Sequence, residues 1–164
     1  MRQTLLGTSL VIGLAMLAAC DRAPEQPPQE QSAIEGPDGR EGISVSDARL
    51  VLPLVEGRPG ALYLTVANDG ASAAELAAIY VEGAERVELH ESRMEGGAMA
   101  MVAVDAIPVP AAGSVVLEQG GLHAMVFGLA PDFDADSTEI TLIFADGDKT
   151  SVEARVTTVA EASN

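Results

Sequence analysis

Tryptophan is absent from the 164-residue sequence, and three Phe and two Tyr are its only aromatic residues. A core must therefore be built from Val, Leu, Ile and Ala, as between two facing β-sheets. Cysteine occurs once, as Cys20, so no disulfide can close within the chain. Basic residues are scarce: nine Lys and Arg face 25 Asp and Glu, for a net charge of −16. The acids are spread along the chain rather than gathered in a tail, which disfavours nucleic-acid binding and describes a solvated surface. Apolar runs are short, and none reaches the about 18 residues of a membrane-spanning helix.

The longest apolar run, Leu5–Leu17, follows Arg2 and precedes small residues and Cys20, in the sequence MRQTLLGTSLVIGLAMLAAC. This is the layout of an export signal over residues 1–19. Leu17-Ala18-Ala19-Cys20 resembles the bacterial lipobox, which implies that Cys20 is acylated and becomes the mature N-terminus. A lone cysteine in an exported chain fits that role. Residues 20–42 then carry prolines at 24, 27, 28 and 37 among Gln, Glu and Gly. Such a composition fills no core and reads as a flexible linker. The expected arrangement is a periplasmic protein, anchored to inner or outer membrane by its lipid, with one folded domain over residues 43–160.

From Ile43 onward, short apolar runs of period two are broken every ten or so residues by Gly, Asn and Asp. That pattern predicts an all-β, immunoglobulin-like sandwich of about seven to nine strands. The expected strands are Ala48–Val55, Ala61–Ala67, Ala74–Val81, Arg86–Glu91, Met99–Val104, Val115–Glu118, His123–Leu129, Ile140–Phe144 and Thr150–Val156. Asn68-Asp69-Gly70, Gly96-Gly97, Gly120-Gly121 and Asp146-Gly147 supply turns between them.

Both histidines, and every methionine after the leader, fall between His90 and Met125. Thioether and imidazole together suit copper(I), whereas calcium and magnesium want oxygen. Two residues apart on one strand, His123 and Met125 share a face and lie roughly 7 Å apart along the chain. His90 faces away from Val87 and Leu89, and the turn at Glu95-Gly96-Gly97 can return Met101 toward it. Taken singly, Met94 and Met99 fit either gap-filling in a core or auxiliary metal contact. With a single cysteine, neither a His2Cys blue-copper site nor a thiolate-bridged dinuclear centre can form.

The spacing His90-x10-Met101-x21-His123-x-Met125 resembles the metal motif of the PCuAC family of periplasmic copper chaperones. So do Val87-Glu88-Leu89-His90, Gly97-Ala98-Met99-Ala100-Met101, Ile107-Pro108-Val109-Pro110-Ala111 and Gly120-Gly121-Leu122-His123-Ala124-Met125. The resemblance, over about Ile43–Val156, implies a cupredoxin-like sandwich and one principal copper(I) site of His90, Met101, His123 and Met125. It further implies delivery toward the CuA centre of cytochrome c oxidase, with subunit II or a Sco-type copper protein as partner. Some members place Met directly after the first histidine, where this chain has Glu91, and some end in a Met- and His-rich tail, where this chain reads VTTVAEASN.

Asp132-x-Asp134-x-Asp136 begins like a calcium loop, but Ser137 stands where the loop needs glycine, and a polar turn is expected. No G-x-S-x-G surrounds a serine, and nothing else marks an enzyme. The rival expectations are a copper buffer without a dedicated recipient, and a metal-free adhesion or assembly module.

Overall fold

Strand formation follows from alternation. In Gly60–Asn68 every second residue is buried, and Ala74–Val81, Ser137–Phe144 and Lys149–Thr157 bury one face of each strand with few exceptions. The computed structural model describes residues 39–55, 57–130, 133 and 136–162. The export signal, Cys20, most of the linker, Asp132 and Asp134 lie outside them. Ten strands follow in order: β1 (Ile43–Val51), β2 (Gly60–Asn68), β3 (Ala74–Val81), β4 (Arg86–Glu95), β5 (Ala98–Ala103), β6 (Ile107–Val109), β7 (Gly113–Leu117), β8 (Leu122–Phe127), β9 (Ser137–Phe144) and β10 (Lys149–Thr157). A one-turn helix, α1 (Val159–Ala162), closes the series. Among the described residues no helix is long and apolar enough to cross a membrane.

The strands hydrogen-bond in the order β5-β4-β8-β2-β1-β10-β9-β3-β6. All pairs are antiparallel except β1 with β10. β2 serves two neighbours: Gly60–Leu62 pairs with Val126–Ala124 of β8, and Leu64–Asn68 pairs with Leu117–Gly113 of β7. The result is an all-β sandwich around Leu50, Leu62, Leu64, Val66, Leu76, Ile107, Ile140, Leu142 and Phe144, each at most 2% exposed. Side chains of this size contribute about 1.5–3 kcal/mol each when fully buried, so this largely aliphatic cluster dominates stability.

Differences from the expected strands have local causes. β1 starts at Ile43 and ends at Val51, because Pro53 cannot donate to a ladder, and a bulge between Ser46 and Arg49 places Asp47 at φ 54°. β6 was not expected, since Pro108 and Pro110 argue against a strand. It lies at one end of the strand order, where a missing N–H is tolerated. β8 stops at Phe127 because Gly128 turns to φ 68°. Met94 and Met99 are not core fillers, for they are 64% and 60% exposed. Thr158 and Glu161, spaced as in a capping box, bond to each other at the start of α1.

Candidate metal centre

β4 is the middle strand of a three-stranded ladder, with β8 on one side and β5 on the other. Across the β4/β8 seam Arg86 pairs with Phe127, Glu88 with Met125, and His90 with His123. Across the β4/β5 seam His90 pairs with Ala103, Ser92 with Met101, and Met94 with Met99. Directly opposed residues share a face. Both histidines and Met94, Met99, Met101 and Met125 therefore stand on one face of the ladder, with no register break among them. Leu89, Ala124 and Val126 point the other way, into the core.

On this face the two histidines lie side by side, with ring centroids 6.0 Å apart and planes inclined by 35°. Two imidazoles bound to one ion through bonds of about 2.0 Å place their centroids about 5–6 Å apart at tetrahedral to wider angles. The pair thus has the spacing for a shared ion. Sequence reasoning linked His90 to Met101 across the hairpin and did not foresee that β8 would set His123 directly opposite His90. Although His90 faces away from Leu89, its side chain is only 13% exposed, and His123 is buried.

Each ring has one nitrogen fixed by an acceptor. His123 Nδ1 lies 3.0 Å from the Gly121 carbonyl, which can only accept, so Nδ1 carries the proton and Nε2 the lone pair. His90 Nε2 lies 3.1 Å from the Glu88 carboxylate, so Nε2–H donates and Nδ1 carries the lone pair. His90 Nδ1 is buried without a hydrogen-bond partner. Such an orphaned atom costs about 1–3 kcal/mol. A metal ion would satisfy it.

Glu88 is itself held by Arg86 Nε at 2.9 Å, and Arg86 lies over the Phe127 ring, 4.0 Å from its centroid. The Arg86 hydrogen bond, with His90 second, holds the Glu88 carboxyl below its ordinary value, so it stays an acceptor. Glu88, Arg86 and Gly121 are the positioning groups that sequence reasoning missed. The signal for Glu88 was its place two residues before His90, on the same strand face. Carboxylate- or carbonyl-bound imidazole is the usual second layer of a metal site.

The thioethers are placed unequally. Met125 is half-buried beside His123 on β8, while Met101 sits diagonally from His90 and is 56% exposed. Diagonal neighbours are roughly 7–8 Å apart, within reach of a long side chain. Among the described residues no three His, Cys, Asp or Glu side chains gather as metal ligands. Two imidazoles completed by neutral sulfur select a soft ion.

The LpqE-like family model, whose description is of a lipoprotein, matches residues 43–156. The chain belongs to the LpqE-like family. No curated protein matches it significantly. Its structural neighbours include PCuAC domains, in keeping with the motif. The copper-bound PCuAC domain from PmoF2 is 21% identical with a TM-score of 0.59, over 71% of this chain and 93% of that one. The apo PCuAC domain from PmoF1 is 18% identical, TM-score 0.59, over 71% and 94%. CuI-DR1885 from Deinococcus radiodurans is 27% identical, TM-score 0.55, over 66% and 74%. Every ladder strand of this LpqE-like chain lies inside the matched residues.

Proposed function

We propose that this LpqE-like domain is an extracytoplasmic copper(I) chaperone that carries one ion between His90, His123, Met125 and Met101. The observation that carries the reading is the cross-strand histidine pair, 6.0 Å between rings, with His90 Nδ1 buried and unpaired on the ladder face that also bears Met125 and Met101. The copper-bound neighbours support it.

In this reading Glu88 and Gly121 each accept from one ring nitrogen, which leaves His90 Nδ1 and His123 Nε2 to face the metal. Met125 supplies sulfur from the sheltered side. Met101, exposed at the edge of the ladder, is the ligand a recipient can displace first. Neutral sulfur and nitrogen hold copper(I) without offering a thiol to an oxidising compartment. A recipient with stronger ligands would then draw the ion away. The reading includes removal of residues 1–19, acylation of Cys20, and a linker to residue 42 that lets the domain meet membrane-bound recipients, the CuA-bearing subunit of cytochrome c oxidase or a Sco-type protein first among them.

The test is an anaerobic copper(I) titration in competition with a chromophoric chelator. Wild type competes for one equivalent, while His123→Ala and Met125→Ala compete less well; variants equal to wild type would refute the ligand set. Loaded protein mixed with apo subunit II then separates delivery from storage, since transfer supports a chaperone and retention supports a buffer.

A further inference from the structure

Beyond Glu91, the last β4 residue paired to β8, the β4–β5 hairpin runs on as a two-stranded ribbon. Its tip is the Gly96-Gly97 turn, with φ 59° and 87°, values that favour glycine and suit a type I′ turn. Just behind the turn Met94 and Met99 stand directly opposite each other. They are 64% and 60% exposed, so packing does not explain them. The charges of the ribbon lie on its other face, where Arg93 bonds Glu95 at 2.6 Å and pairs with Glu91 at 3.7 Å. The tip therefore presents two bare thioethers and no carboxylate on the face that also bears Met101, His90 and His123.

We propose that Met94 and Met99 form a second, surface copper(I) site, two-coordinate through their sulfur atoms, from which ions pass along Met101 to the histidine pair. The proposal rests on the copper reading above. Opposed side chains leave their β-carbons about 4.5–5.5 Å apart, and two sulfurs about 2.3 Å from one ion span at most about 4.6 Å, so the pair can close on a single ion. Met99 and Met101 are two residues apart on β5, roughly 7 Å along the strand and on one face. Neutral thioethers without oxygen donors discriminate for a soft monovalent ion. Each step is a ligand exchange: one copper–sulfur bond forms as another breaks, copper stays copper(I), and no proton moves. Two ligands in place of four make the tip site the weaker one, filled second at equilibrium.

The experiment uses the full chain with 13C-labelled methionine methyls, titrated anaerobically with copper(I) alone, beside the Met94→Leu/Met99→Leu double variant. The first equivalent is expected to shift the Met101 and Met125 methyls and the histidine rings. The second is expected to shift the Met94 and Met99 methyls together, and the double variant to lose that second equivalent while keeping the first. If the first equivalent binds and the Met94 and Met99 methyls stay still through the second, the tip site is refuted and the principal site stands. If those methyls move with the first equivalent, and the double variant weakens it tenfold or more, they belong to the principal site and the proposal is equally overturned. Failure of the first equivalent to bind removes both readings.

Discussion

At the scale of single residues the site depends on which nitrogen of each imidazole is free, and Glu88 decides that for His90. Glu88→Ala removes the acceptor on His90 Nε2 while leaving every proposed ligand in place. Loss of such a partner typically weakens a metal site about 10–100-fold. Chelator competition should show a drop of that order for Glu88→Ala and a smaller one for Glu88→Gln, whose amide oxygen can still accept. Equal affinity in all three would mean that Glu88 does not orient the ring. The candidate ligands were legible from the sequence, because His90, Met101, His123 and Met125 stand out by chemistry and spacing. The contact that organises them was not. That His90 faces His123 depends on β8 pairing with β4, a register set by burial of Leu89, Ala124 and Val126 on the opposite face, which no short-range pattern encodes.

At the scale of elements the β4–β5 hairpin is the part that places Met101. Its tip reaches beyond β8, so its geometry depends on the turn more than on the core. Gly97→Val puts a β-branched residue at φ 87°, a conformation costing roughly 1–2 kcal/mol for an L-residue. The expected outcome is a weaker copper(I) affinity with a thermal midpoint nearly that of wild type, because the overhang buries little. Leu62→Ala, in the fully buried middle of β2, should do the reverse and cost about 2–5 kcal/mol in urea unfolding. The turn and most strands could be read in advance from alternation and glycine placement. β6 could not, because Pro108 and Pro110 mask a three-residue edge strand whose buried Ile107 and Val109 are recognised only once β3 lies beside them. The far reach of β4, from the expected Glu91 to Glu95, was hidden for a related reason: its last four residues bury nothing fully and pair only with β5.

At the scale of the whole molecule the excess of acids shapes acid stability. Arg40 bonds Asp146, lies 3.6 Å from Asp148, and sits over the Phe144 ring, tying the start of the described chain to the β9–β10 turn. The Arg40 hydrogen bond lowers the Asp146 carboxyl below its ordinary 3.8. A carboxylate with a lowered folded value stabilises fully above its unfolded value and loses that contribution as the pH falls through the folded one. Arg40→Ala should therefore be less stable than wild type at neutral pH, with the difference shrinking below about pH 4. Thermal unfolding of the two proteins across pH 2–7 checks this, and a gap that widens in acid would contradict it. A lipid at Cys20 would hold the acidic domain by its tether, and Cys20→Ser is expected to leave copper binding unchanged while releasing the protein from membrane fractions.

In the proposed site two imidazoles and two thioethers share one copper(I) ion on the outer face of the β5-β4-β8 ladder. X-ray absorption of the full chain loaded anaerobically with one equivalent of copper(I) tests it most directly. Two nitrogen scatterers at about 2.0 Å and two sulfur scatterers at about 2.3 Å are expected, with one sulfur lost in Met125→Leu and one nitrogen lost in His123→Ala. A first shell of nitrogen and oxygen without sulfur, or a shell unchanged in both variants, would contradict it.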